Sequence, residues 1–244
     1  MQQTMITIGN FLFRYRNKVF PLLTIALFVI AIPPHQIFGS MFYEDLKDIF
    51  ALFLALAGLA VRGVVIGYAY IKRGGMNKQV YADDLVTQGM FSLCRNPLYV
   101  GNMLIYIAVF VMHGDPLVMA MGIGLYLFIY YCIIFAEEAY LEKKFTQQYR
   151  EYCKDVPRWI PKLSRFKQAT EPMEFNLKRV FIKDYSTMAS TLVTLCIVQL
   201  YEHLGFPSIA GHELHLALLS LALLNIGLAA ALIRTWKKRP AHHA

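Results

Sequence analysis

The chain has 244 residues, 57% of them apolar and 16% charged, with a mean hydropathy of +0.44. Several apolar runs of about 18 to 21 residues exclude a soluble globular protein and point to an integral membrane protein. The net charge of +8 calls for no nucleic acid, because anionic lipid of an inner leaflet accounts for it.

Six membrane spans are expected, at Val19–Phe38, Asp48–Ile71, Leu98–Met112, Pro116–Ala136, Ser186–Leu204 and Leu214–Trp236. All should be helical, since lipid offers no partner to open backbone groups. Arg14, Arg16 and Lys18 precede the first span and no small-residue cleavage pattern follows it, so that helix is expected to stay in the mature protein. The segments before span one, between spans two and three, between four and five, and at the end of span six together hold 22 of the 24 Lys and Arg. The positive-inside rule then puts both termini and both long loops in the cytoplasm of a multi-pass protein. Cys94, Cys132, Cys153 and Cys196 show no CxxC or paired spacing, so neither a disulfide scaffold nor a structural zinc site is expected.

Span three is short. Its 15 or so residues rise about 23 Å, less than the roughly 30 Å of hydrocarbon, and it turns through His113-Gly114-Asp115-Pro116 into span four. With that tight turn at the outer face, the start of span three lies below the inner surface, in a recess. That start reads Arg95-Asn96-Pro97, with Asn suited to an N-cap and Pro to the first helical position. A helix N-terminus in a recess is a seat for a carboxylate or phosphate.

Residues 72–96 read as a polar connector, with a turn at Gly74-Gly75 and a short amphipathic piece at 81–85. Residues after Glu137 read as a cytoplasmic amphipathic helix to about Cys153, ending near Pro157 and Pro161, and 162–185 as a loop. The whole is an all-α, polytopic membrane helical bundle of about six transmembrane helices. It forms a single transmembrane domain over 1–244, with a core at about 85–165 and an additional C-terminal helix pair at about 186–236.

Span four runs into Glu137-Glu138, two carboxylates at a membrane boundary, where charge is cheap to place and able to reach a cavity. Arg95-Asn96-Pro97-Leu98-Tyr99-Val100-Gly101 and then Glu137-Glu138, Leu141, Phe145, Tyr149, Tyr152, Val156-Pro157-Arg158 and Pro161, with a helical hairpin between them, resemble the isoprenylcysteine carboxyl methyltransferase and phospholipid methyltransferase superfamily. Over those roughly 75 residues the order and spacing match. Asn96 stands where the prenylcysteine enzymes usually carry His, Thr146 where Gly is usual, and spans five and six extend beyond the end of many relatives.

The resemblance implies a membrane-embedded methyltransferase that uses S-adenosyl-L-methionine from the cytoplasm on a lipophilic acceptor of the inner leaflet, a prenylcysteine carboxylate, a phospholipid amine or similar. It implies that Arg95, Asn96, Pro97, Tyr99, Glu138, Tyr149 and Tyr152 bind the cofactor. Arg158, Arg62 and Glu137 are the candidates for the chemistry. Methyl transfer needs alignment of donor and acceptor and no metal. Aromatic faces can hold a sulfonium, and a glutamate can bond the ribose or amino group.

Each of these residues has an ordinary reading too. Interfacial tyrosines form belts, paired glutamates end helices, and Arg158 beside Trp159 is either a fork for an acceptor anion or a leaflet anchor. Arg62 lies roughly 15 Å inside span two, so it faces protein or a wet cavity. Asn102 and Asn225 are expected to bond between helices. His203, His212 and His215 gather near an outer loop, read as hydrated rather than metal-binding. Two alternatives stay open, an NADPH-dependent membrane reductase of the sterol reductase type and a non-enzymatic transporter or lipid-binding protein.

Overall fold

The computed structural model describes residues 2–68, 82–205 and 211–238. Seven helices carry the fold: α1 Gln2–Phe28, α2 Met41–Tyr68, α3 Pro97–His113, α4 Pro116–Asp155, α5 Phe166–Thr170, α6 Leu177–Glu202 and α7 Glu213–Lys238. Among the described residues there is no named strand. By length and composition α2, α4, α6 and α7 can cross a membrane, and α3 is a shorter apolar helix. The expected connector at 72–81 lies outside the described residues.

The first expected span is displaced. The helix is α1, Gln2–Phe28, and the chain from Val29 to Ser40 is irregular, with Pro33-Pro34 unable to continue a helix. Arg14, Arg16 and Lys18 thus fall within α1 rather than before it. The helix buries Gly9, Leu12, Phe13, Phe20 and Leu27, one face at helical spacing, against α4. Contact is close enough that a Cβ on Gly9 would lie 2.0 Å from the Cys132 carbonyl oxygen. Farther along, Phe20 meets Tyr106, Tyr126 and Tyr130 edge to face, and the Tyr126 hydroxyl donates to the Phe20 carbonyl at 2.7 Å.

The α3–α4 hairpin forms as its residues dictate. Gly114 takes the left-handed conformation (φ 80°) that ends α3, and Asp115 caps α4 by accepting from the Leu117 and Val118 amides at 3.0 and 2.9 Å. Pro116 follows at the first helical position. Against α3 runs α2, antiparallel, with Gly58 and Gly101 at the crossing. A Cβ on Gly101 would stand 2.8 Å from the Gly58 carbonyl oxygen and 2.6 Å from the Arg62 Cγ, so small residues here fix where Arg62 emerges.

Residues 162–185 are not one loop. A short helix, α5, is followed by Asn176, whose Oδ1 accepts from the Arg179 amide at 2.8 Å and starts α6 at Leu177, nine residues before the expected Ser186. The Asn-x-x-Arg start is an N-cap hidden among basic residues. In turn α7 packs on α6 and leaves Leu214, Leu218, Leu221, Leu224, Leu228 and Leu232 exposed, a face suited to lipid. Asn225 bonds the Leu221 carbonyl of its own helix and not a neighbour, because no other helix covers that face.

The expected amphipathic helix is the continuation of α4, bent at Thr146, whose backbone (φ 41°, ψ −108°) is outside the helical region. A β-branched residue there stores strain, on the order of 1–3 kcal/mol. Thr146→Gly is therefore expected to raise the thermal midpoint in detergent, by an amount corresponding to about 1 kcal/mol after the entropic cost of glycine. An unchanged or lower midpoint would remove the strain.

Candidate active site

The start of α3 is pinned to the chain that follows α4. The Arg95 amide donates to the Pro157 carbonyl at 2.9 Å and the Lys162 amide to the Leu93 carbonyl at 3.0 Å. The Cys94 thiol, pushed up by burial, stays a donor to the carbonyls of Arg158 and Trp159 at 3.3 Å each. Tyr152 closes the junction, its hydroxyl donating to the Phe91 carbonyl at 2.6 Å. Two motifs about 40 residues apart in sequence are thereby held edge to edge.

Glu138 is the hub of that junction. Its Oε1 accepts from Asn96 Nδ2 and Arg158 Nε at 3.2 Å each and lies 3.4 Å from Arg95 Nη1, while Oε2 pairs with Arg158 Nη2 at 2.7 Å. Asn96 precedes α3, but its side chain makes no capping bond because Glu138 and the Arg158 carbonyl engage it. Pro97 does stand at the first helical position. The planar fork of Arg158, suggested by sequence for an acceptor anion, grips Glu138 here. Tyr99 donates to Glu137 Oε1 at 2.6 Å, so the adjacent glutamates have separate partners, one ionic and one phenolic.

These residues border a cavity of about 1270 Å³. Arg95, Asn96, Pro97, Tyr99, Glu137, Glu138, Tyr149, Tyr152 and Arg62 all line it; Arg158 reaches it only through Glu138. Two polar atoms in the wall, the Tyr149 hydroxyl and Arg95 Nε, are buried without a hydrogen-bond partner of normal geometry in the protein. Arg95 Nη1 meanwhile donates to Cys153 Sγ at 2.9 Å. A wall with unmet polar atoms is made for a ligand or for water.

Arg62 sits deeper, 5% exposed. Its guanidinium pairs with Asp184, Nε to Oδ2 at 3.0 Å and Nη2 to Oδ1, and also reaches Asn102 Oδ1 and Thr187 Oγ1. The Asn102 bond joins α3 to α2, as its mid-span position suggests. Asp184 is fully buried, and sequence reading left it in a loop. Also missed were Arg16 and Asn17 of α1 and the hydroxyl stripe Ser186, Thr187, Ser190, Thr191 and Thr194 of α6, all in the cavity wall. The stripe has a signal, hydroxyls spaced three and four apart, which shows once α6 is known to begin at Leu177.

Residues 49–148 match the model of the phospholipid methyltransferase family. The matched segment covers most of α2, the α3–α4 hairpin and both motifs up to Gln148. With four helices long and apolar enough to span a bilayer, the chain is an integral membrane protein, and its residues 49–148 are similar to that family. It is also similar to the cobalt-zinc-cadmium resistance protein CzcN of Cupriavidus metallidurans, 29% identical over 163 residues, which are 66% of this chain and 70% of that protein. No solved structure matches.

Proposed function

We propose that the protein transfers a methyl group from S-adenosyl-L-methionine to a lipophilic acceptor in the large cavity. The observation that supports this best is the convergence of both motifs of the methyltransferase segment on one cavity wall with unmet polar atoms. The Tyr149 hydroxyl and Arg95 Nε are donors for the cofactor carboxylate, and the faces of Tyr99 and Tyr130, 5.6 Å apart, suit a sulfonium. When bound, the cofactor supplies an electrophilic methyl. Glu138 acts as a positioning residue, holding Arg95 and Asn96 in place.

The acceptor enters past Phe13, Phe20, Ile25 and Phe28, an apolar wall that takes a hydrocarbon chain. With Tyr99 occupying Glu137 Oε1, Oε2 is left to accept the proton that an amine loses on methylation. A carboxylate acceptor needs no such base. Arg62, neutralised by Asp184, braces the cavity. The basic loops turn the cavity and both termini toward the cytoplasm, which labelling of a cysteine at position 150 from that side checks.

The test is calorimetry of S-adenosylhomocysteine binding to purified protein, then incubation of labelled S-adenosyl-L-methionine with lipid extract and mass spectrometry of the product. Binding is expected, with Glu137→Gln sparing it while lowering turnover of an amine acceptor by about 100-fold or more. NADPH binding without S-adenosylhomocysteine binding would favour a reductase. Full turnover in Glu137→Gln would exclude the proton-accepting role.

A further inference from the structure

Away from the cavity, where α2 begins and α6 ends, three carboxylates face one another. Glu44 and Asp48 lie one turn apart on α2, Glu202 closes α6, and each offers an oxygen, all within 4.8 Å of one another. Glu44 is 3% and Glu202 5% exposed. Lys47 stands among them, its Nζ 2.5 Å from Glu44 Oε1, 2.9 Å from Asp48 Oδ1 and 2.7 Å from the Met112 carbonyl oxygen. Gln199 donates to Asp48 Oδ2 at 2.5 Å.

Those contacts do not satisfy the cluster. Glu44 Oε2 and Asp48 Oδ1 are buried with no hydrogen-bond partner of normal geometry. Ionised together, the three carboxylates and the one ammonium would carry two negative charges in a poorly solvated place, where uncompensated charge is costly. One divalent cation brings the sum to zero and gives Glu44 Oε2 a partner.

We propose that Glu44, Asp48 and Glu202 bind a hard divalent cation of the Mg²⁺, Mn²⁺ or Ca²⁺ class. The donor set is oxygen throughout, the set that suits these ions over softer metals. His203, His212 and His215 form the rim, with the His203 ring 5.1 Å from His215 and 5.5 Å from His212. His203 Nδ1 is bonded to the Gln199 carbonyl oxygen at 2.8 Å.

The ion ties the first turn of α2 to the last turn of α6. That links the methyltransferase segment to the C-terminal helix pair at the end opposite Arg62, which stands about 27 Å farther along α2. All three ligands lie outside residues 49–148, and the cavity chemistry does not depend on them.

The test uses the full-length protein in detergent, stripped with a chelator and titrated with Mn²⁺, the free ion being read by electron paramagnetic resonance. The expected result is one saturable Mn²⁺ per chain, displaced by Ca²⁺ or Mg²⁺, with a raised thermal midpoint. Loss of even an outer-shell partner costs about 10- to 100-fold in metal affinity, so Glu202→Gln is expected to weaken binding by at least about tenfold. Should Glu202→Gln not fold, Asp48→Asn takes its place, and should neither fold, saturable Mn²⁺ binding by the wild type decides. No saturable Mn²⁺ binding to the wild type overturns the site. So does unchanged affinity in a folded carboxylate variant.

Discussion

Glu138→Ala is expected to cost the protein both its junction and its ligand. The substitution strands Arg95 and Arg158 beside each other and leaves Asn96 Nδ2 with the Arg158 carbonyl alone. Removing one partner of a buried pair costs about 3–5 kcal/mol, and the 31% exposure of the Arg158 side chain puts this case near about 3. Since that is a large part of a domain's net stability, the thermal midpoint in detergent should fall steeply. Glu138→Gln keeps the shape and one acceptor oxygen, so it should fall less. In whatever fraction stays folded, S-adenosylhomocysteine affinity should drop by about 10- to 100-fold, because Arg95 is no longer held toward the cavity. A Glu138→Ala protein with wild-type midpoint and reduced affinity would make Glu138 a direct ligand instead of a hub. Wild-type values of both would take it out of the site.

Part of the motif was legible in sequence because its residues direct the backbone locally. Pro97 and the Gly114-Asp115-Pro116 turn are backbone instructions, local and independent of packing, and the α3–α4 hairpin follows from them. Glu137 and Glu138 stand at the end of an apolar run, so their importance was visible while their partners were not. That Glu138 binds Arg158 and Glu137 binds Tyr99 depends on which helical faces meet, and adjacent residues on a helix point about 100° apart.

The rest depended on tertiary placement. An apolar window from Val19 to Phe38 reads as a span, yet Pro33-Pro34 stops it, and one face running from Gly9 to Leu27 packs on α4. Asp184 looked like one charge in a basic loop. Only α6 starting at Leu177, capped by Asn176, carries it to Arg62, 122 residues away in sequence. Thr146 stood out as a departure from the family pattern, and the bend it occupies is the reason glycine suits the position. The acidic trio at Glu44, Asp48 and Glu202 has no spacing signal at all, since α2 and α6 meet there through folding alone.

The buried Arg62–Asp184 pair separates support from chemistry. Arg62→Ala and Asp184→Ala should each cost about 3–5 kcal/mol, since each removes one partner of a buried ion pair among α2, α3 and α6. Arg62→Met with Asp184→Leu removes both charges at similar volume and should recover most of that loss, because the pair's attraction does little more than offset its desolvation. The coupling in this double-mutant cycle is therefore expected to be large. Arg62→Lys keeps a charge but cannot present the guanidinium fork that bonds Asp184, Asn102 and Thr187 together, so it should be nearly as destabilising as Arg62→Ala. Turnover then decides what the pair is for. A stable double variant that methylates at the wild-type rate confines Arg62 to bracing the three helices. A stable double variant that binds S-adenosylhomocysteine normally yet turns over slowly would place the guanidinium at the acceptor, with Asp184 setting its orientation from α6.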